Sequence, residues 1–314
     1  MKQLYSSTSR LVLGTIVCLL IFQAVSAQTD ADAIMIPKNY FCSGIMYSYS
    51  SWKDYWEGTY KRNNLNLGTV STRMYGIMGN YGISNKLNVL FSLPYITTKA
   101  SAGTLKGMKG VQDLSLTVKY MPLEKEIGSG KLSVYGLGGI SIPVTNYVVD
   151  FLPLAIGMQS KNAWIRGMID YKVHSFFITA SGIYTHRSNI TIDRTSYYST
   201  ALHYTNEVKM PAMAGYNIRS GLRNKQWIAE VLVDNFTTLG GFDIRKNDMP
   251  FPGNKMIGTR AGINLKYTFT SIEGLEVTGG GNHIILGRNI GQGTTVNAGA
   301  FYIIDLTGKK KNKS

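Results

Sequence analysis

From about residue 44 to residue 304, apolar and polar side chains alternate in segment after segment, and the connections between segments are by turns short and long. Period two sends successive side chains to opposite faces of a strand. The clearest run puts Ile257, Thr259, Ala261, Ile263, Leu265, Tyr267 and Phe269 on one face, and Gly258, Arg260, Gly262, Asn264, Lys266 and Thr268 on the other. One face suits lipid and the other water. A soluble β-sandwich or lipocalin-like barrel would also alternate, but its core would not accept charge in strand after strand. The pattern predicts an all-β fold, a transmembrane antiparallel up-and-down β-barrel of about twelve strands.

The same split recurs at Val111–Tyr120, Ala163–Tyr171, Ala212–Arg223 and Val296–Ile304, and more weakly in seven further segments, beginning with Gly44–Trp52. Short connections fall near 84–86, 121–130, 173–175, 224–225 and 270–274. Long ones fall at 53–67, 98–110, 145–160, 188–210, 240–255 and 288–293. An even strand count puts both termini and the short turns on the periplasmic side, with the long loops outward. Tyr95, Tyr120, Tyr171, Tyr184, Tyr267, Phe269 and Tyr302 sit near expected strand ends, as an interfacial girdle requires.

The first 27 residues read as a cleavable Sec-type export signal. Lys2 and Arg10 make its positive start, Leu11–Phe22 its apolar core, and Val25-Ser26-Ala27 its cleavage site. The apolar run is shorter than the roughly 20 residues a spanning helix needs. Cys42 is then the only thiol left, so no internal disulfide is expected. The expected division is a signal at 1–27, a short N-terminal periplasmic segment at 28–43, the barrel at 44–306 and a basic tail at 307–314. The expected location is the outer membrane of a double-membraned bacterium, reached with periplasmic chaperones and barrel-assembly machinery. The formal charge is +15, of which Lys2 and Arg10 leave with the signal. An exported chain meets no genome, so nucleic acid is not an expected partner. Lipid headgroups, an anion-favouring pore or solvated loops suit the charge better.

The candidate lumen-facing binding residues are Lys119, Arg166, Asp170, Arg219, Arg223, Glu230, Asp234, Arg260 and Lys266. If Asn224-Lys225 is a two-residue turn, Arg219 stands directly opposite Glu230. The nine can brace a narrow lumen as cross-strand ion pairs, or form a polar path for a solute. No enzyme is expected. His174, His186, His203 and His283 accompany no nucleophile-elbow or metal-ligand spacing, and no cofactor or metal site is indicated. The loop at 188–210, with His186 nearby and Asp193, Ser196, Tyr197, Tyr198 and His203 within it, reads as a polar, Tyr-rich surface loop.

The stretch Tyr81-Gly82-Ile83-Ser84-Asn85-Lys86-Leu87-Asn88-Val89, then Leu93-Pro94-Tyr95 and Gly110-Val111-Gln112-Asp113-Leu114, resembles the outer-membrane barrel family named for the meta-pathway of phenol degradation. That family is distantly similar to long-chain fatty-acid transporters. Gln112-Asp113 stands where the family has Gly-Asp. The resemblance implies a transporter or channel for small, hydrophobic or aromatic molecules. Only Gln28–Tyr40 precedes the first expected strand, which leaves room for a short plug at most. The alternative is a structural or surface-interaction barrel acting through its long outer loops.

Overall fold

The computed structural model describes residues 29–245 and 248–308. The signal reading at 1–27, Gln28 and the lysines of the tail lie outside the described residues.

Among the described residues, twelve long strands follow one another: β1 (Tyr40–Trp52), β2 (Val70–Ser84), β3 (Leu87–Ala100), β4 (Asp113–Ile127), β5 (Gly130–Pro143), β6 (Asn162–Val173), β7 (Phe176–Arg187), β8 (Met213–Arg223), β9 (Trp227–Thr238), β10 (Ile257–Thr268), β11 (Leu275–Arg288) and β12 (Thr294–Asp305). Each pairs antiparallel with the next, and β1 pairs with β12, so the sheet closes. Closure satisfies every strand edge, the condition for an antiparallel sheet in lipid.

Two boundaries differ from those expected. β1 begins at Tyr40 rather than Gly44, because Phe41, Cys42 and Ser43 already pair with β12 on one side and β2 on the other. The segment at 121–130, expected as a connection, is mostly strand. The β4–β5 ladder slips between Tyr120 and Leu123, resumes to Ile127 and turns at Gly128, whose φ is +61°. The slip sits beside Pro122, which has no N–H for the ladder, and it hides the period-two signal.

The outer wall is apolar. Ile45 and Ile165 are each 67% exposed, and Ile77, Leu116, Ile169, Ile218, Val231, Ile263 and Val296 also face outward. A soluble protein does not leave so continuous an apolar surface to water. Of the expected girdle, Tyr95, Tyr120, Tyr184 and Tyr302 are exposed on this wall. Tyr171 turns its hydroxyl to the Ile127 carbonyl, 3.0 Å away.

Candidate functional site: the lumen and its two closures

Alternation aims the other half of each strand inward, and there the nine candidate residues fall into six ion pairs. Four run from wall to wall. Arg219 meets Glu230 at 2.9 Å, Arg223 meets Asp170 at 3.1 Å, Arg260 meets Asp234 at 2.7 Å and Lys266 meets Glu276 at 3.8 Å. The other two join the wall to the segment before β1: Lys119 to Asp32 at 3.1 Å and Arg166 to Asp30 at 3.3 Å. Asn264 donates to Glu230, and Asn217, which accepts from Arg219, donates to Asp234, so the Arg219–Glu230 and Arg260–Asp234 pairs share one polar network.

The expected register at β8–β9 is corrected. Gly221, not Arg219, stands opposite Glu230, and Arg219 stands opposite Leu232. Arg223 pairs with Ile228, so four residues rather than two separate the paired ends, and within them the Asn224 side-chain oxygen accepts from the amides of both Gln226 and Trp227. Such an Asx turn is a competing local geometry for asparagine. The slip is two positions, so both side chains still face inward and the long Arg219 reaches Glu230 along the diagonal.

Residues Thr29–Asn39, expected as a periplasmic lead, lie against the inner wall. Ile36 is fully buried beside Cys42, Phe301 and Ile303, and Ala33 lies among Met121, Tyr135, Leu137 and Met168. Lys119, itself 0% exposed, gives its ammonium to the Thr29 carbonyl, the Asp32 carbonyl and the Asp32 carboxylate at 3.2, 2.6 and 3.1 Å. Three donors meet three acceptors, the full capacity of a lysine. Tyr135 and Arg223 both donate to the Ala33 carbonyl, and Asn88 donates to that of Ile36. At the end of the segment Gly82 leaves room for the Pro37 carbonyl, which a methyl at that position would overlap. The segment is a short plug.

The loop after β5 closes the other end. Val149 packs with Ile190, Ile192, Val208 and Met210 of the β7–β8 loop, and Leu154 packs with Leu67 and Val70 at β2. Those two anchors belong to strands five apart in a ring of twelve, so the loop crosses the mouth. Thr98 donates to the Leu154 carbonyl at 2.6 Å and Tyr147 to Asp113 at 2.6 Å. Burial, then the Asp113 carboxylate, hold the Tyr147 hydroxyl well above its ordinary pKa, so it remains a donor.

Beside the plug lies a cavity of about 330 Å³, lined by Thr29, Asp32 and Ile34 of the plug and by residues of β1, β2 and β8–β12.

In the β7–β8 loop, Ser199 Oγ lies 2.8 Å from His203 Nε2, and the His203 ring stacks on Tyr197 at 4.7 Å. A hydrolytic pair needs a third group to fix the imidazole tautomer. Among the described residues none bonds to the second ring nitrogen, and the backbone amide of Asp193 is bound to Asp150. The pair closes the small hairpin of 197–198 with 202–203. No cluster of three or more metal-ligating side chains occurs among the described residues.

Sequence reasoning missed Asp30, Asp32 and Glu276. The first two lie outside any strand, where parity carries no information. Glu276 follows directly on a turn, where register is not yet legible.

No family model matches the chain, and no curated protein matches it. Among solved structures, an outer membrane channel from Pseudomonas putida F1 superposes with a TM-score of 0.68 at 12% identity, covering 89% of this chain and 100% of the other. The translocator domain of the autotransporter NalP from Neisseria meningitidis reaches 0.45 at 9% identity, with 96% of each chain covered. A FadL homologue from Pseudomonas aeruginosa reaches 0.38 at 10% identity, covering 86% of this chain and 91% of the other. The likeness to the Pseudomonas putida structure is one of fold: this chain is a closed antiparallel β-barrel of the outer-membrane type.

Proposed function

We propose that the chain is an outer-membrane channel for small molecules, held closed by an N-terminal plug and an outer lid. The observation that carries this reading is the polar, ion-paired inner wall around a cavity of about 330 Å³. A barrel that served only as an anchor could fill its lumen with apolar side chains. The fold shared with an outer membrane channel supports it, as does the resemblance over Tyr81–Leu114. Lipid contacts the apolar outer wall, and insertion calls for periplasmic chaperones and barrel-assembly machinery.

Osmotic swelling of liposomes holding the refolded barrel tests the reading. Lys119→Met removes the plug's central anchor, and swelling in small solutes is expected to rise several-fold over the unaltered protein. Background swelling for both, with the barrel shown folded by heat-modifiable migration, would sink the channel reading.

Exposed Tyr198, Leu202 and Tyr204 at the tip of the β7–β8 loop favour a second reading, a surface-interaction barrel. Shortening residues 194–206 should then abolish surface binding and leave swelling unchanged.

A further inference from the structure

We infer that the cavity between the plug and the barrel wall is a binding site for a small, uncharged, polyhydroxylated solute of monosaccharide size. The inference rests on the channel reading and names the solute class that the chamber suits.

Backbone pairing sets the inner wall here in one circumferential row. Glu230 pairs with Asn264, Asn264 with Gly280, Gly280 with Asn297, Asn297 with Ser48 and Ser48 with Met74. Asn282 faces inward one step along β11, paired with Thr295. The carboxamides of Asn282 and Asn297 and the hydroxyl of Ser48 all line the cavity, and none has a hydrogen-bond partner among the described residues. Each carboxamide brings two donors and an acceptor with two lone pairs.

Three solute classes can be weighed against this lining. An aromatic or aliphatic solute would displace water from those groups and leave them unpaired, which is costly. A charged solute would find no free counter-charge, because Arg219 is paired with Glu230, Lys266 with Glu276 and Asp32 with Lys119. A lone charge added to a narrow, partly desolvated chamber is costly. A neutral polyol donates and accepts at every carbon, as amides and hydroxyls require, and offers C–H faces to Met46, Met74 and Phe301 on the same lining. The cavity's size falls at the lower end of small-molecule sites.

Saturation-transfer NMR on the full chain, refolded in lauryldimethylamine oxide to avoid sugar headgroups, tests this without requiring conduction. Glucose, benzoate and p-xylene are the probes. Transfer to glucose is expected, at least several-fold above that to benzoate or p-xylene. It should be lost in Asn297→Leu and in Asn282→Leu, each confirmed as folded by heat-modifiable migration. Absence of transfer to glucose in the unaltered chain overturns the inference. So does equal transfer in the leucine variants, or transfer to p-xylene above that to glucose. Liposomes that swell in small solutes without sugar binding would leave the channel reading standing and remove only this one.

Discussion

Arg219 and Glu230 have side chains only 8% and 7% exposed, so neither charge can be left to water. Breaking a buried pair from one side costs about 3–5 kcal/mol, more than the pair contributes when intact. Glu230→Gln strands Arg219 and loosens Asn264, and urea unfolding in lipid vesicles should show a loss of that order. A loss below about 0.5 kcal/mol, the size typical of exposed pairs, would mean the pair is hydrated. Asp243, in the loop after β9, behaves differently. Hydrogen bonds from Arg288, against a small burial penalty, and from Asn289 hold its carboxyl below the usual carboxylate range. Its contribution to folding is complete above about pH 4, the ordinary value, and fades as pH falls through the lowered value of the folded state. Asn289 also receives the Ile244 amide at 3.1 Å. Exchange at that amide, corrected for its intrinsic rate, should accelerate on acidification below about pH 4. Asp243→Asn should remove the pH dependence; if it persists unchanged, Asp243 is not its source. At this scale the sequence marked inward charges where parity was clean, as at Lys119 and Arg166. It could not show their partners Asp30 and Asp32, which are placed by tertiary contacts alone.

The plug depends on one small residue in the wall. Gly82→Ala would set a methyl against the Pro37 carbonyl, while leaving the β2–β3 ladder intact because alanine fits a strand. The variant is expected to fold normally and to expose Thr29–Asn39 to protease from the turn side. Unchanged protection would show that the plug has slack there. Among the elements, strand existence was legible throughout, since a buried-face and lipid-face period leaves a strong trace. A boundary failed where that trace breaks, at the ladder slip beside Pro122, and the register failed at the Asx turn of Asn224. The plug and lid left no trace because their burial follows no period. They are ordinary loop sequences that find complementary walls.

Around the lumen, among the described residues, the six pairs set six cations against six carboxylates, and two of those carboxylates, Asp30 and Asp32, belong to the plug. Taking the plug away therefore leaves Lys119 and Arg166 without counter-charges facing an open lumen. Fixed charge in a narrow pore selects its counter-ion, so an open barrel should favour anions. The basic balance of the chain pointed to that option, and the plug explains how the closed form neutralises it. Single-channel recording in planar bilayers joins these points in one experiment, comparing the full chain with a chain lacking residues 29–39. The expected result is little current from the full chain, steady current from the shortened one, and a reversal potential in a salt gradient displaced toward the chloride value. Equal conductance of the two chains, or a shortened barrel that is folded and silent, would contradict a channel closed by its own N-terminal plug.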